Sequence, residues 1–337
     1  MIVVLKPNIT KSQENAVLKE IRKLGYEPHI MRGVARTVIG AIGDERTHHT
    51  LETLLSWPQV EAVMPVQKKY KLVSREAHPS NSIVKVRGLE IGGKKIHIMA
   101  GPCSVESEKQ LINTAFAVKK AGATILRGGA FKPRTSPYDF QGLGEKGLKL
   151  LARAREETGM PIITELLSEA HVDIVAEYAD ILQIGTRNAQ NFQLLIASAK
   201  TGKPILLKRG FAMRIEEWLL AGEYILSNNN PNLMFCERGI RTFETYTRNT
   251  LDLSAVPIVK QESHCPIVVD PSQGSGRADL VIALCRGAIA VGADALLIEV
   301  HPNPTEAWSD GGQQLTPEGF TRLMHEISPI IKAVGRE

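Results

Sequence analysis

Cysteine is scarce in this chain, with four in 337 residues at Cys103, Cys236, Cys265 and Cys285 and no C-x-x-C pair among them. That excludes a disulfide scaffold and a paired-cysteine zinc module, and it points to a reducing compartment. Aromatic residues make up only 5% of the chain, and the formal charge of +5 is mild for the length. A polynucleotide-binding surface needs basic clusters interleaved with stacking rings, so nucleic acid is not an expected partner. Long uninterrupted apolar runs are also missing. The stretch 278–300 carries Arg286, Asp294 and Glu299, and reads as a buried helix and strand rather than a membrane span. The opening MIVVLKPNIT has neither a basic leader nor a cleavage-site pattern. No signal peptide and no membrane partner are expected, and the expected location is cytoplasmic.

What the chain does have is a recurrent punctuation. From Lys95 to Pro302, β-rich apolar stretches stop at clusters of polar, charged or glycine residues: MAGPCS, LRGGAFKPRT, IITE, LQIGTRN, LLKRG, MFCERG, VVDPS and LIEVHP. Strands are expected near 95–101, 124–128, 161–165, 181–185, 204–208, 233–236, 266–270 and 295–300. Helices are expected at 111–120, 147–157, 189–200, 215–226, 279–291 and 317–334. Such alternation predicts an α/β fold, a (β/α)8 TIM barrel over 95–337. A doubly wound open sheet is the runner-up, but it would gather its polar residues near one switch point.

Residues 1–70 read differently. MIVVLK is an expected strand, Ser12 to Leu24 a helix, YEPHIM and TVIGAIG two strands meeting through Arg32 and Gly33, LETLLSW a short helix and VEAVMPV a last strand. This β-α-β-β-α-β order predicts a small N-terminal ferredoxin-like α+β domain, of a shape often used for sensing or interaction. His48 and His49 are expected to be solvated, since no other metal-ligating residues accompany them. Residues 71–94, with turn clusters HPSNS and IGG, read as a linker containing a short strand or hairpin.

Arg127, Lys132, Arg134, Arg187, Lys208, Arg209 and Arg238 lie at or just past expected strand ends. In a closed barrel those ends converge on one mouth. Cations crowd there usefully only if a polyanion sits among them, and arginine forks and lysine charges suit phosphate and carboxylate. The plainer alternative is that each is solvated or paired with an acid. Cys103, Glu299 and Asp310 fall at the ends of the first and last barrel strands and in the loop after, where they could meet. A thiolate with two carboxylates favours a first-row divalent ion. The plainer alternative there is a buried, inert Cys103.

The blocks GPCSVES, LRGGAFKPRTSPYDFQGLG, QIGTRNAQN, LLKRGF, CERGIRTFE, VDPS and EVHPNPTEAWSDGGQ closely resemble 3-deoxy-D-arabino-heptulosonate 7-phosphate (DAHP) synthases. The match is to the branch that includes the 3-deoxy-octulosonate 8-phosphate (KDO 8-phosphate) synthases. The N-terminal segment and its VSRE junction resemble type I beta members carrying a ferredoxin-like regulatory domain. The resemblance implies a transferase that condenses phosphoenolpyruvate with erythrose 4-phosphate and releases phosphate, as the first step of the shikimate pathway. It implies that Arg127, Lys132, Arg187, Lys208 and Arg238 hold phosphoenolpyruvate, and that Arg134 and Thr135 hold the phosphate end of the aldose. Condensation with arabinose 5-phosphate is the alternative; the appended N-terminal domain favours the heptulosonate product. A tyrosine or phenylalanine effector and a homotetramer are further expectations.

Lys132 is a candidate acid for the aldehyde oxygen, with crowding by other cations expected to favour its neutral form. Glu165 is a candidate for orienting the attacking water. The resemblance also implies a divalent metal ion (Mn, Fe, Co or Zn) on Cys103, Glu299, Asp310 and the histidine of a DPSH motif. This chain reads DPSQ, with Gln273 at that place. An amide oxygen is a weaker ligand than an imidazole nitrogen. Retained catalysis with a weakened or dispensable metal is therefore expected, and a catalytically impaired metabolite-binding homologue is the alternative. His264 precedes its strand and is expected at the wrong end of the barrel; His301 follows the last strand and is better placed.

Overall fold

The computed structural model describes residues 1–32, 36–43, 50–64 and 69–337. The chain divides into two compact units, Met1–Lys69 and Tyr70–Glu337. In the first, β1 (Ile2–Leu5), α1 (Lys11–Lys23), β2 (Glu27–Arg32), β3 (Thr37–Ile42) and β4 (Val60–Met64) follow one another, with a 3-10 turn at Leu51–Ser56 before β4. Helix α1 starts at Thr10 because a reciprocal cap forms there. Gln13 N donates to Thr10 Oγ1 at 3.2 Å, and Thr10 N donates to Gln13 Oε1 at 2.8 Å. Its Val17, Leu18 and Ile21 share one face and pack with Val3, Leu5 and Ile39. The four strands form an antiparallel sheet in the order β2-β3-β1-β4. The LETLLSW segment makes only the 3-10 turn, since Thr50 provides no side-chain cap and Trp57 is already extended. Gly33, His48 and His49 lie outside the described residues.

The second unit opens with a hairpin, β5 (Val84–Val86) and β6 (Leu89–Ile91), whose two-residue turn places Arg87 and Gly88 at positive φ. Its Val84, Val86 and Ile91 share one apolar cluster with the interior of the barrel. The barrel then runs β7 (His97–Gly101), α2 (Glu108–Ala121), β8 (Ile125–Arg127), α3 (Glu145–Thr158), β9 (Ile162–Leu166), α4 (Val172–Tyr178), β10 (Ile181–Ile184) and α5 (Phe192–Ala199). It continues with β11 (Ile205–Lys208), α6 (Ile215–Leu226), β12 (Leu233–Glu237), α7 (Ala255–Glu262), β13 (Ile267–Val269), α8 (Pro271–Ser275), α9 (Ala278–Ala290), β14 (Ala295–Glu299) and α10 (Pro317–Ala333). All eight strands from β7 to β14 pair in parallel and close, with β14 beside β7. Closure rules out the open doubly wound sheet. The short helices α4 and α7 were not expected from sequence. Among the described residues no helix is long and apolar enough to cross a membrane.

Strand parity decides what faces the barrel axis. Met99, Ile125, Ile163, Ile181, Leu206, Met234, Val268 and Leu297 form the interior cluster, while their chain neighbours such as Ala100, Leu126, Ile162 and Leu182 join the layer between sheet and helices. Two residues beyond the interior set come Gly101, Arg127, Glu165, Gln183, Lys208, Cys236, Asp270 and Glu299. The same alternation that fills the core therefore aims polar side chains at the C-terminal mouth. Gly101 is required there, because at φ 154° a Cβ would stand 2.1 Å from the Arg127 carbonyl oxygen. The outer layer is anchored by Trp218, fully buried, edge-on to Phe235 at 5.0 Å and donating from Nε1 to Leu207 O at 3.2 Å. Trp218→Ala is expected to cost about 3–5 kcal/mol, read as a lower urea midpoint for the barrel.

Candidate active site

The strand ends enclose a cavity of about 130 Å³. Arg127, Lys132, Arg134, Thr135, Arg187, Lys208 and Arg238 all line it, together with Glu165, Gln273 and Asp310. Gln183, Phe211 and Arg248 line it as well and were missed from sequence. Gln183 could have been found by counting two residues on from the interior Ile181. Arg248 lies in the irregular stretch between β12 and α7, where no periodic pattern places it.

Arg209 does not join them. It follows Lys208 by one residue, so parity turns it outward toward the Trp218 ring, 5.9 Å from its guanidinium carbon. There it donates to Glu237 and Asp252, both at 2.9 Å, and to Met213 O.

Several cavity cations carry counter-ions, buried ones for Arg127 and Lys208 and an exposed one for Arg134. Arg127 donates to Glu299 at 2.6 Å, Lys208 to Asp270 at 2.6 Å, and Arg134 lies 3.2 Å from Asp139. Others are barely compensated. Arg187 reaches Thr135 Oγ1 at 3.2 Å, and among the described residues Arg238 donates to Gly239 O and Gln273 Oε1 alone. Burial pulls the Arg238 pKa down, and Asp270 only partly offsets it. Both guanidinia lie over the face of Phe211, at 5.6 and 5.3 Å, which holds their planes at the rim. Among the described residues, three buried side-chain nitrogens have no hydrogen-bond partner: Arg127 Nε, Arg134 Nη1 and Arg238 Nε. All three belong to this cavity, and each is a donor waiting for an acceptor.

Lys132 Nζ donates to Cys103 Sγ at 3.1 Å and to Cys103 O at 3.2 Å. The expected neutral lysine is not what the surroundings favour. Burial lowers its pKa, but Cys103, Glu165 and Glu299 raise it further, and the net direction is upward. Ammonium is its resident form. The Cys103 thiol is pushed up to about 12 by burial first and Glu299 second, so it carries its proton at neutral pH. Glu299 goes the other way: burial would raise it, but Arg127 and Lys132 outweigh burial and hold it at about 2. Glu165 folds across Gly185, where a Cβ would stand 1.8 Å from Glu165 Oε1.

Cys103, Glu299 and Asp310 come together, with one ligand atom from each within 4.8 Å of the others, and could hold a metal ion. Gln273 does not complete that set. Its Oε1 accepts from Arg238 at 3.2 Å, and its Nε2 donates to Glu299 Oε1 at 3.0 Å and Asp310 Oδ2 at 3.4 Å. The other carboxylate oxygens are engaged as well. Gln313 Nε2 donates to Glu299 Oε2 at 2.7 Å, Arg248 lies 3.3 Å from Asp310 Oδ1, and the Cys103 thiol faces Asp310 Oδ2 at 3.4 Å. The four side chains as arranged do not fit a tightly held transition-metal ion. Neither nearby histidine repairs this. His264 is turned to Leu72 O and Ser82 at the N-terminal end of β13. His301 has both ring nitrogens taken, one by Glu106 at 3.2 Å and the other by Asn303 N at 3.0 Å.

This geometry has close relatives. The DAHP synthetase I family model matches residues 30–333. Phospho-2-dehydro-3-deoxyheptonate aldolase of Thermotoga maritima is 52% identical over 335 residues, covering 99% of both chains. The 2-dehydro-3-deoxyphosphooctonate aldolase of Caulobacter vibrioides is 34% identical over 273 residues, covering 73% of this chain and 93% of the relative. The crystal structure of the Thermotoga maritima DAHP synthase superposes with a TM-score of 0.96 at 51% identity, covering 100% of this chain and 98% of that one. A truncated form of the Thermotoga maritima enzyme gives a TM-score of 0.75 at 50% identity over 80% of this chain and 98% of its own. With its cation-lined barrel mouth and its likeness along nearly the whole length, the chain belongs to the DAHP synthetase I family.

Proposed function

We infer that the chain condenses phosphoenolpyruvate with erythrose 4-phosphate and water, giving 3-deoxy-D-arabino-heptulosonate 7-phosphate and inorganic phosphate, the first step of the shikimate pathway. The observation that carries this reading is that three arginines, each with an orphaned buried nitrogen, line one cavity. A buried donor without an acceptor costs stability, and two anionic substrates would supply the acceptors. Arg127, Lys132, Arg187, Lys208 and Arg238 are assigned to the phosphate and carboxylate of phosphoenolpyruvate, and Arg134 with Thr135 to the aldose phosphate. C3 of phosphoenolpyruvate attacks the aldehyde carbon, and the Lys132 ammonium passes its proton to the aldehyde oxygen as the carbonyl π bond opens. Water, oriented by Glu165, adds at the electron-poor C2 and returns one proton to the now neutral Lys132. The C2 hydroxyl then becomes the ketone as the bond from C2 to the bridging phosphate oxygen breaks, its proton leaving with the phosphate. Fixed guanidinia around the cavity offset the charge that accumulates. None of these steps calls on a cation at Cys103, Glu299 and Asp310, and a divalent ion is bound there weakly or not at all.

The four-carbon acceptor is favoured over arabinose 5-phosphate by the reach of the likeness. The heptonate relative matches 99% of this chain, whereas the octonate relative matches 73%. The antiparallel order β2-β3-β1-β4, with α1 between β1 and β2, supports a ferredoxin-like reading of residues 1–69 and the type I beta arrangement. That unit is assigned the sensing of tyrosine or phenylalanine, in a homotetramer acting in the cytoplasm.

Lys132→Met is expected to lower turnover by roughly a hundred- to ten-thousand-fold in a phosphate-release assay while changing substrate binding far less. A change confined to the Michaelis constant would reject the proton-donor role. Side-by-side turnover with the two aldose phosphates should favour erythrose 4-phosphate; preference for arabinose 5-phosphate would reassign the product. Inhibition by tyrosine or phenylalanine should disappear when residues 1–69 are removed, and an insensitive intact chain would retire the sensing role.

A further inference from the structure

The amide of Gln273 engages two of the three side chains that a cation would need, Glu299 and Asp310. Its backbone is fixed in α8, where Gln273 N donates to Asp270 Oδ1 at 2.9 Å, while the other oxygen of Asp270 holds Lys208 at 2.6 Å. The orientation of the amide is equally constrained. A guanidinium only donates and a carboxylate only accepts, so Oε1 must face Arg238 and Nε2 must face Glu299 and Asp310. Rotating the amide would set its oxygen against two carboxylates and its hydrogens against Arg238. Gln273 therefore offers N–H to the cluster where a metal centre requires a lone pair.

Resting on the catalytic reading above, we propose that Gln273 takes the place of a resident cation by tying Glu299 to Asp310 through its amide hydrogens. The working enzyme is metal-free, and replacing this one side chain by an imidazole is enough to create a metal site. An imidazole at 273 loses the double donation to the carboxylates. It brings a nitrogen lone pair to a position already flanked by a thiol and two carboxylates, a donor set suited to cobalt or zinc.

The test is metal uptake by the full-length chain, read without substrate. Wild type and Gln273→His are each equilibrated with cobalt(II) or zinc(II), freed of loose ion and assayed for metal content and for a cobalt–thiolate absorption band. Wild type should retain no stoichiometric metal, and its phosphate release should be unchanged after exhaustive chelation. Gln273→His should retain about one ion per chain and show the band, which a second change, Cys103→Ser, should abolish. One tightly held ion per wild-type chain with a Cys103-dependent band would overturn the proposal. So would a folded Gln273→His chain, by circular dichroism, that takes up no metal. If that variant does not fold, the wild-type arm still decides the metal-free claim. Wild-type turnover that is lost on chelation and restored by a divalent ion would overturn the proposal as well, whereas no turnover on erythrose 4-phosphate with or without metal would count against the catalytic reading alone.

Discussion

Like charges forced together set the terms for this molecule. Seven basic side chains, Arg127, Lys132, Arg134, Arg187, Lys208, Arg238 and Arg248, share one cavity at the mouth of the barrel. At close range and partly out of water, their repulsion would be severe if nothing opposed it. Acids oppose part of it: buried Glu299 against Arg127, buried Asp270 beside Lys208, and half-buried Asp310 near Arg248. What remains uncompensated, chiefly Arg238 and Arg187, is the free capacity of the site. A protein keeps such a cost where an anion repeatedly removes it.

The barrel makes this possible because strand parity serves both core and site. Ile125 fills the interior and Arg127 lines the mouth; Leu206 and Lys208 repeat the relation, as do Leu297 and Glu299. The core layer thus aims the polar layer: Arg127 and Lys208 are fixed by their strands, while Lys132, Arg134, Arg187, Arg238 and Arg248 come from the segments that follow strand ends. Positions between, such as Arg209, are turned to the helical layer and need acids of their own.

Much of this was legible in the sequence, for reasons that can be named. Polar residues that end apolar runs mark strand ends, and eight such ends mark a closed mouth, so Arg127, Lys132, Lys208 and Arg238 could be grouped before any fold was known. Arg209 was misplaced because adjacency to Lys208 was weighed and the two-residue period was not. Arg248 was not legible, since a long irregular stretch carries no usable periodicity, and the short helices α4 and α7 were missed as well. The charge state of Lys132 was misjudged because the cations around it are visible as a motif, whereas the opposing Cys103, Glu165 and Glu299 arrive from other strands. Gln273 was visible as a departure from its family. The direction in which its amide points depends on Arg238, thirty-five residues earlier in the chain and across the rim.

The most direct test of the central claim is a crystal structure of the full chain with phosphoenolpyruvate bound. The account predicts the ligand's phosphate and carboxylate oxygens within hydrogen-bonding reach of Arg127 Nε and Arg238 Nε, with Arg187 and Lys208 closing on the same molecule. Phosphoenolpyruvate seated elsewhere, with both of those nitrogens still lacking acceptors, would contradict it.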